Sequence, residues 1–301
     1  MNQLVHNRRP EGGEVPPPAS PVVAAWELAL RLRGRRDQLN VDVKTITATL
    51  GFSRNYWSAV ENERKILSEE SLSRLLTLLE FDDGERQELL DLRHLAKERG
   101  WWTQYSSFLG SEIQRMFGLE LGAQGVRDYE SLIIPGLLQT EDYARAIMTP
   151  AVVVRKVEVD QRVAVRRHRQ ERLSGENPLH ITAIISEAAL RQQIGGPAIL
   201  RAQLDHLADM IEGNPERIRV RIIPFTAKSC GLFGASTVHM IDFDNARLPT
   251  VAWQETVTTW DIIDNPLQIR DITLTYSDAF GQALDEQQSL EMIHRYAREL
   301  D

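Results

Sequence analysis

From residue 22 the chain places Val22, Ala25, Leu28, Ala29 and Leu32 at the spacing that puts side chains on one face of a helix. Ser20 ahead of Pro21 supplies an N-cap and a proline at the first helical position. Asp42 caps a second, short helix through Leu50, which Gly51 ends, and Ser53 caps a third to about Asn62. Ser68 opens a fourth with Leu72, Leu75, Leu76 and Leu79 on one side. Asp82 or Asp83 opens a fifth to about Arg99, with Leu89, Leu92 and Leu95 inward. The pattern predicts one all-α domain over 21–100.

From Trp101 the pattern changes. Helical spacing recurs at 137–148, 158–173, 197–212 and 285–299, and runs rich in Ile, Val and Thr at 181–185, 218–223, 236–242 and 250–254 read as strands. Pro224 and Pro249 sit at segment edges, where a missing N–H is tolerated. Residues 101–301 are therefore expected to form an α+β domain around a small, mainly antiparallel sheet. The stretch PEGGEVPPPASP at 10–21 has few apolar side chains, so 1–20 read as a disordered head.

Composition bounds the chemistry. A chain of 301 residues accommodates two domains, and 42% hydrophobic with 26% charged residues is a globular balance. No apolar run approaches the roughly 20 residues that span a bilayer, and no signal-peptide pattern opens the chain, so no membrane partner is expected. The single cysteine, Cys230, excludes an internal disulfide and fits a reducing cytoplasm. A net charge of −8 argues against a protein that coats nucleic acid everywhere. Residues 22–66 run the other way, with Arg31, Arg33, Arg35, Arg36, Lys44, Arg54, Arg64 and Lys65 outnumbering the acids.

That local excess surrounds a helix-turn-helix pattern. Ile46 and Leu50 can meet Trp57 and Val60 in a small core, and Gly51 supplies the positive φ that closes one helix before the next. The third helix then exposes Arg54, Asn55, Ser58 and Ala59. Arg pairs bidentately with guanine and Asn with adenine in the major groove, so Arg54, Asn55 and Ser58 are the base-contact candidates. Lys44, Ser53, Tyr56, Arg64 and Lys65 are phosphate-contact candidates, as is the arginine cluster from 31 to 36.

Residues 22–80 resemble the Xre-type helix-turn-helix of bacterial regulators, on Ile46, Leu50-Gly51, Phe52-Ser53, Ser58, Val60, Glu61 and Asn62. Four positions depart from that pattern: Val43 for a phosphate-binding Gln, Thr47 for Ala, Ala59 for Arg, and Glu63 for Gly. The second half carries Trp101-Trp102, IIPGLLQTEDYARAIM at 133–148, RRHRQERL at 166–173, RVRIIPF at 219–225 and VAWQE at 251–255. These resemble the C-terminal domain, of no known function, of a large actinobacterial group of antitoxin-like Xre regulators. The resemblance implies a double-stranded DNA operator, and a small protein encoded nearby as a candidate partner. Useful specificity requires two helix-turn-helix copies, hence a homodimer.

Much of the second half can be read as architecture. Pro135-Gly136 breaks the chain, Thr140 can cap a helix, and Glu141 and Asp142 favour its positive end. Ser186 or Glu187 starts a helix that Gly195-Gly196 ends, and Pro197 starts the next. Glu120, Glu187 and Glu255 either converge or form ion pairs, with Arg127 and Arg166 as candidate partners. The basic run from Arg162 to Arg172 is either a second nucleic-acid surface or an internally paired helix. Trp101, Trp102 and Tyr105 either pack a domain interface or line a pocket for a small-molecule effector. Cys230 is an inert loop thiol or a redox sensor. The seven His residues, with Cys230, show no metal-ligand spacing, and no phosphate loop, dinucleotide fingerprint or nucleophile elbow is present. The chain thus reads as a transcriptional regulator without cofactor or enzymatic activity, or alternatively as an antitoxin-like module that binds a small protein.

Overall fold

The computed structural model describes residues 17–300 apart from 153, 236, 257 and 258. Most of the expected head, 1–16, lies outside the described residues. The five N-terminal helices form where the caps predict: α1 (Pro21–Gln38), α2 (Val43–Leu50), α3 (Arg54–Glu61), α4 (Glu69–Leu78) and α5 (Asp83–Ala96). Each cap side chain accepts from the backbone of the first turn, at 2.7 Å for Asp42 to Thr45 N and 3.1 Å for Ser53 to Tyr56 N. Leu28, Leu32, Ile46, Leu50, Trp57, Val60 and the leucines of α4 bury together as one core.

A 3-10 turn (Trp101–Tyr105) leads into α6 (Ser111–Leu121) and β1 (Gly125–Glu130). There follow α7 (Glu141–Met148), α8 (Val159–Gln170), β2 (His180–Ser186), α9 (Glu187–Arg191), α10 (Pro197–Gly213) and β3 (Ile218–Ile223). Three short strands, β4 (Val238–Asp242), β5 (Val251–Glu255) and β6 (Trp260–Ile263), precede α11 (Pro266–Gln282) and α12 (Glu286–Glu299). Strands β1 and β6 and helices α6 and α11 are absent from the sequence reading.

The sheet runs β3-β2-β1-β4-β5-β6. β1 pairs parallel with β2, and β2 with β3, in registers such as Tyr129 with Ile184 and Ile184 with Arg221. β4, β5 and β6 add antiparallel. This corrects the expected mainly antiparallel sheet: it is mixed. Helical crossovers, α7–α8 and then α9–α10, return the chain to the same end of the sheet, which only parallel pairing satisfies. One face, with Val126, Ile181 and Trp253, packs under α10 and α12; the other, with Tyr129, Met240 and Ala252, packs under Tyr276 and Ala279 of α11.

Helix α1 belongs to both cores. Leu28 and Leu32 bury with the helical domain, while Trp26, supported by Val22, Val23 and Leu30, buries with the sheet domain. No helix among the described residues is long and apolar enough to cross a membrane.

Candidate nucleic-acid interface

Gly51, at φ 71°, turns α2 into α3. Ile46, Leu50, Trp57 and Val60 are each less than a tenth exposed, which fixes the two helices against each other. Their burial turns Arg54, Asn55 and Ser58 outward, and Lys44, Ser53, Arg64 and Lys65 are exposed as well. Tyr56 is half-buried, its ring tilted 36° against Phe52 with centroids 4.3 Å apart, and the Lys65 ammonium lies 4.9 Å from its ring centroid. Ser58 lies beside Asn62, whose amide donates to the Ser58 carbonyl at 2.7 Å. No hydrogen bond or ion pair engages the Arg54 or Asn55 side chain among the described residues, so both are available to an incoming partner.

The α1 arginines are different. Arg31 pairs with Glu88 at 2.8 Å, Arg33 donates to the Glu61 carbonyl at 2.6 Å, and Arg35 donates to the carbonyls of Leu79 and Glu80 at 3.0 and 2.7 Å. Arg36 pairs with Glu61 and with Asp37. Arg33 and Arg35 cap the ends of α3 and α4 and Arg31 and Arg36 pair with carboxylates, so all four already have partners within the helical domain.

The turn after α3 places Glu63 in an unusual conformation. Glu63 has φ 61°, the left-handed region that glycine enters freely and a side chain enters at a cost of roughly 1–2 kcal/mol. Its carboxylate receives Arg115 of α6 at 3.1 and 3.3 Å. Burial pushes the Glu63 carboxyl up despite the opposing pull of Arg115. On the same face of α6, one turn on, Gly118 meets α1: a Cβ there would lie 2.2 Å from Val22 Cγ2. Ser20 Oγ donates to the Gly118 carbonyl at 2.6 Å, and Gly122 lies against Val23. The recognition helix is therefore held to the sheet domain through both α1 and its own C-terminal turn.

In the sheet domain, one side of the RRHRQERL run turns inward while Arg167 and Glu171 face outward. Arg169 forms a two-point pair with Glu120 at 2.9 and 2.6 Å, and Arg172 donates to the carbonyls of Leu121, Ala123 and Asn177. Arg166 donates to Gln139, and Gln170 donates to the carbonyls of Gly136 and Gln139. The PGLLQT turn thus acts as a polar hub for α8, and the run is an internally bonded helix. Burial and the neighbouring Arg169 push the Arg166 guanidinium down to about 10.

Of the three candidate glutamates, Glu120 and Glu255 both act on Arg166 and Arg169, while Glu187 stands apart. Glu187 accepts from Phe225 N at 2.6 Å and from the Tyr296 hydroxyl, and Glu255 is exposed beside Trp253. Arg127 pairs with Asp242 rather than with one of these three glutamates. The charged centre that does form was missed: Asp128 pairs with His239 Nδ1, and His239 Nε2 stands 3.5 Å from Glu120. The two carboxylates outweigh burial and raise His239 to about 10. Arg169, reinforced by His239, outweighs burial at Glu120 and lowers it to about 2. Glu130, two residues along β1, accepts from Thr237 at 2.8 Å, and burial raises it to about 8. Only the two carboxylates at alternate positions in GVRDYE, Asp128 and Glu130, hinted at this centre.

Trp101 stacks on Phe117 at 5.4 Å, lies 4.2 Å from the His168 ring and borders a cavity of about 390 Å³ that reaches Glu120 and Arg169. Trp102 is buried and borders a larger cleft, about 1120 Å³, between the helical and sheet domains. Tyr105 packs on Trp101 and Phe108 and lines neither. Cys230 is half-buried and unpaired, with its sulfur 3.4 Å from Leu232 N. Among the described residues, no group of three or more His, Cys, Asp or Glu side chains has metal-binding geometry.

The first domain has the parts and the exposed face of a helix-turn-helix, and residues 27–89 match a family model described as a helix-turn-helix domain, which points to DNA binding. Residues 113–295, more than half of the chain, match the model described as a domain of unknown function (DUF5753). The chain belongs to the DUF5753 family. No curated protein and no solved structure matches it.

Proposed function

We propose that this chain is a sequence-specific transcriptional regulator of the antitoxin-like Xre group. In this reading it acts in the cytoplasm, binds its operator as a homodimer, and is not an enzyme. The observation that carries the reading is the contrast within one basic region. The α1 arginines are consumed by internal partners, while Arg54 and Asn55 project unengaged from α3. Exposed Lys44, Arg64 and Lys65 flank them as phosphate contacts. The sheet domain serves dimerisation and effector or partner sensing. The cleft of about 1120 Å³ supports the effector role, because its walls include Asn62, Glu63 and Arg64 at the end of the recognition helix. An effector there acts by favouring one placement of α3 over another.

Fluorescence anisotropy with DNA from immediately upstream of the gene tests this, against a scrambled duplex and over a salt series. Preference for the upstream DNA that disappears in Arg54→Ala/Asn55→Ala supports the reading. Equal, weak binding to both duplexes, unchanged in the variant, contradicts it and favours the alternative of an antitoxin-like module for a small protein.

A further inference from the structure

Helix α11 stands alone over the second face of the sheet. Ile269, Ile272, Tyr276 and Ala279 point into that core. Its outer side carries Leu267, Arg270, Asp271 and Leu274, at the i, i+3, i+4, i+7 spacing of a single helical stripe. Leu267 is 64% and Leu274 62% exposed. Arg270 and Asp271 are also exposed, paired with each other at 3.1 Å on the surface.

We propose that this stripe is the dimer interface, with α11 packed antiparallel against α11 of a second copy of the chain. The proposal rests on the dimeric reading above and supplies its surface. Residues 267–274 read LQIRDITL, a run whose chemistry is nearly the same from either end: Leu, polar, Ile, charge, opposite charge, Ile, polar, Leu. A two-fold axis passing between Arg270 and Asp271 sets each Leu267 against the other copy's Leu274. The same axis sets each Arg270 against the other copy's Asp271. Each of these four groups then meets its complement, as an isologous contact requires. Parallel pairing in register would instead oppose like charges, so the charge order selects the antiparallel arrangement. An unrelated partner has no need of a self-complementary stripe, which is why a second copy is the occupant.

Phe233, 53% exposed, extends the apolar surface from the loop whose Gly231 abuts Thr275 of α11. Two turns of paired helix alone bury less than the roughly 1,200 Å² of a standard stable interface. The dimer is therefore concentration-dependent in free solution and strengthened on DNA, where two half-sites hold both copies together.

Sedimentation of the full chain over a concentration series tests the interface, with each variant's fold checked by circular dichroism. Leu267→Asp/Leu274→Asp abolishes the dimer. Arg270→Asp and Asp271→Arg, each alone, oppose like charges and weaken it by about tenfold or more, and the double reversal Arg270→Asp/Asp271→Arg restores it. Should the paired Asp variant fail to fold, the charge reversals, confined to exposed side chains, decide the matter. A wild-type dimer that survives the charge reversals unchanged, or that the double reversal does not rescue, overturns this interface and leaves the dimeric reading standing. A wild type that sediments as a monomer throughout and binds DNA one copy per operator overturns both.

Discussion

Glu63, in the left-handed turn that ends the recognition helix, bonds Arg115 of α6 at 3.1 Å. A strained backbone and an interdomain ion pair thus meet in one residue. The strain costs roughly 1–2 kcal/mol, and because burial outweighs Arg115 at this carboxyl the pair does not offset it. The position serves attachment more than stability.

Glu63→Gly removes strain and ion pair together, so it should gain stability over wild type by up to the roughly 1–2 kcal/mol of strain. Glu63→Gln keeps the strain and loses the charge pair, and Arg115→Gln does the same from the other side. Both should unfold at lower temperature than Glu63→Gly. Calorimetry of the three variants decides, and equal losses in all three would show that the φ 61° turn carries no strain.

DNA binding should separate the basic residues into two groups. Lys44→Ala and Lys65→Ala each should reduce the slope of log affinity against log salt by about one. Arg54→Ala should cost about 1–3 kcal/mol on the preferred duplex and relax specificity. Arg33→Ala, which frees the Glu61 carbonyl, should lower the melting temperature and leave the salt slope unchanged. A reduced slope for Arg33→Ala would return α1 to the DNA interface.

Two glycines with different surroundings should respond oppositely to alanine. Gly118→Ala places a Cβ 2.2 Å from Val22 and should destabilise by about 1–3 kcal/mol as α1 is forced off α6. Gly34, in the interior of α1, has nothing within 4 Å of the position a Cβ would take, so Gly34→Ala should stabilise by roughly 0.5–1 kcal/mol. Paired denaturant titrations check both signs.

The buried charged centre predicts a stability maximum in mildly acid solution. His239, raised from 6.5 to about 10, contributes stability that is complete below 6.5 and lost as pH rises toward 10. Glu130, raised from 4.5 to about 8, contributes in the same direction, with its loss spread between those values. Glu120, lowered from 4.5 to about 2, contributes above 4.5 and loses its share as pH falls toward 2. Melting temperature should therefore peak near pH 4.5, where the Glu120 gain is complete and the Glu130 loss begins, and decline on both sides. Glu130→Gln should flatten the decline between pH 4.5 and 8. An unchanged profile in that variant would mean that Glu130 ionises in the folded protein as it does in water.

Local signals in the sequence determined the N-terminal half. Capping residues, a turn glycine and leucines at helical spacing act over a few residues, so α1 to α5 and the outward direction of Arg54 and Asn55 were legible. The same locality concealed the rest. β1 carries Arg127, Asp128 and Glu130, which break strand alternation until Asp242, His239 and Thr237 arrive from distant segments to satisfy them. Without β1 the crossovers could not be counted, and the sheet read as mainly antiparallel. The β-branched residues of α11 likewise masked a helix that packing on the sheet stabilises. Only the tertiary structure decided which arginines are free, because an internal carbonyl or carboxylate competes with DNA for each guanidinium. It also decided that α1 serves two cores, a property of where the second core lies in space.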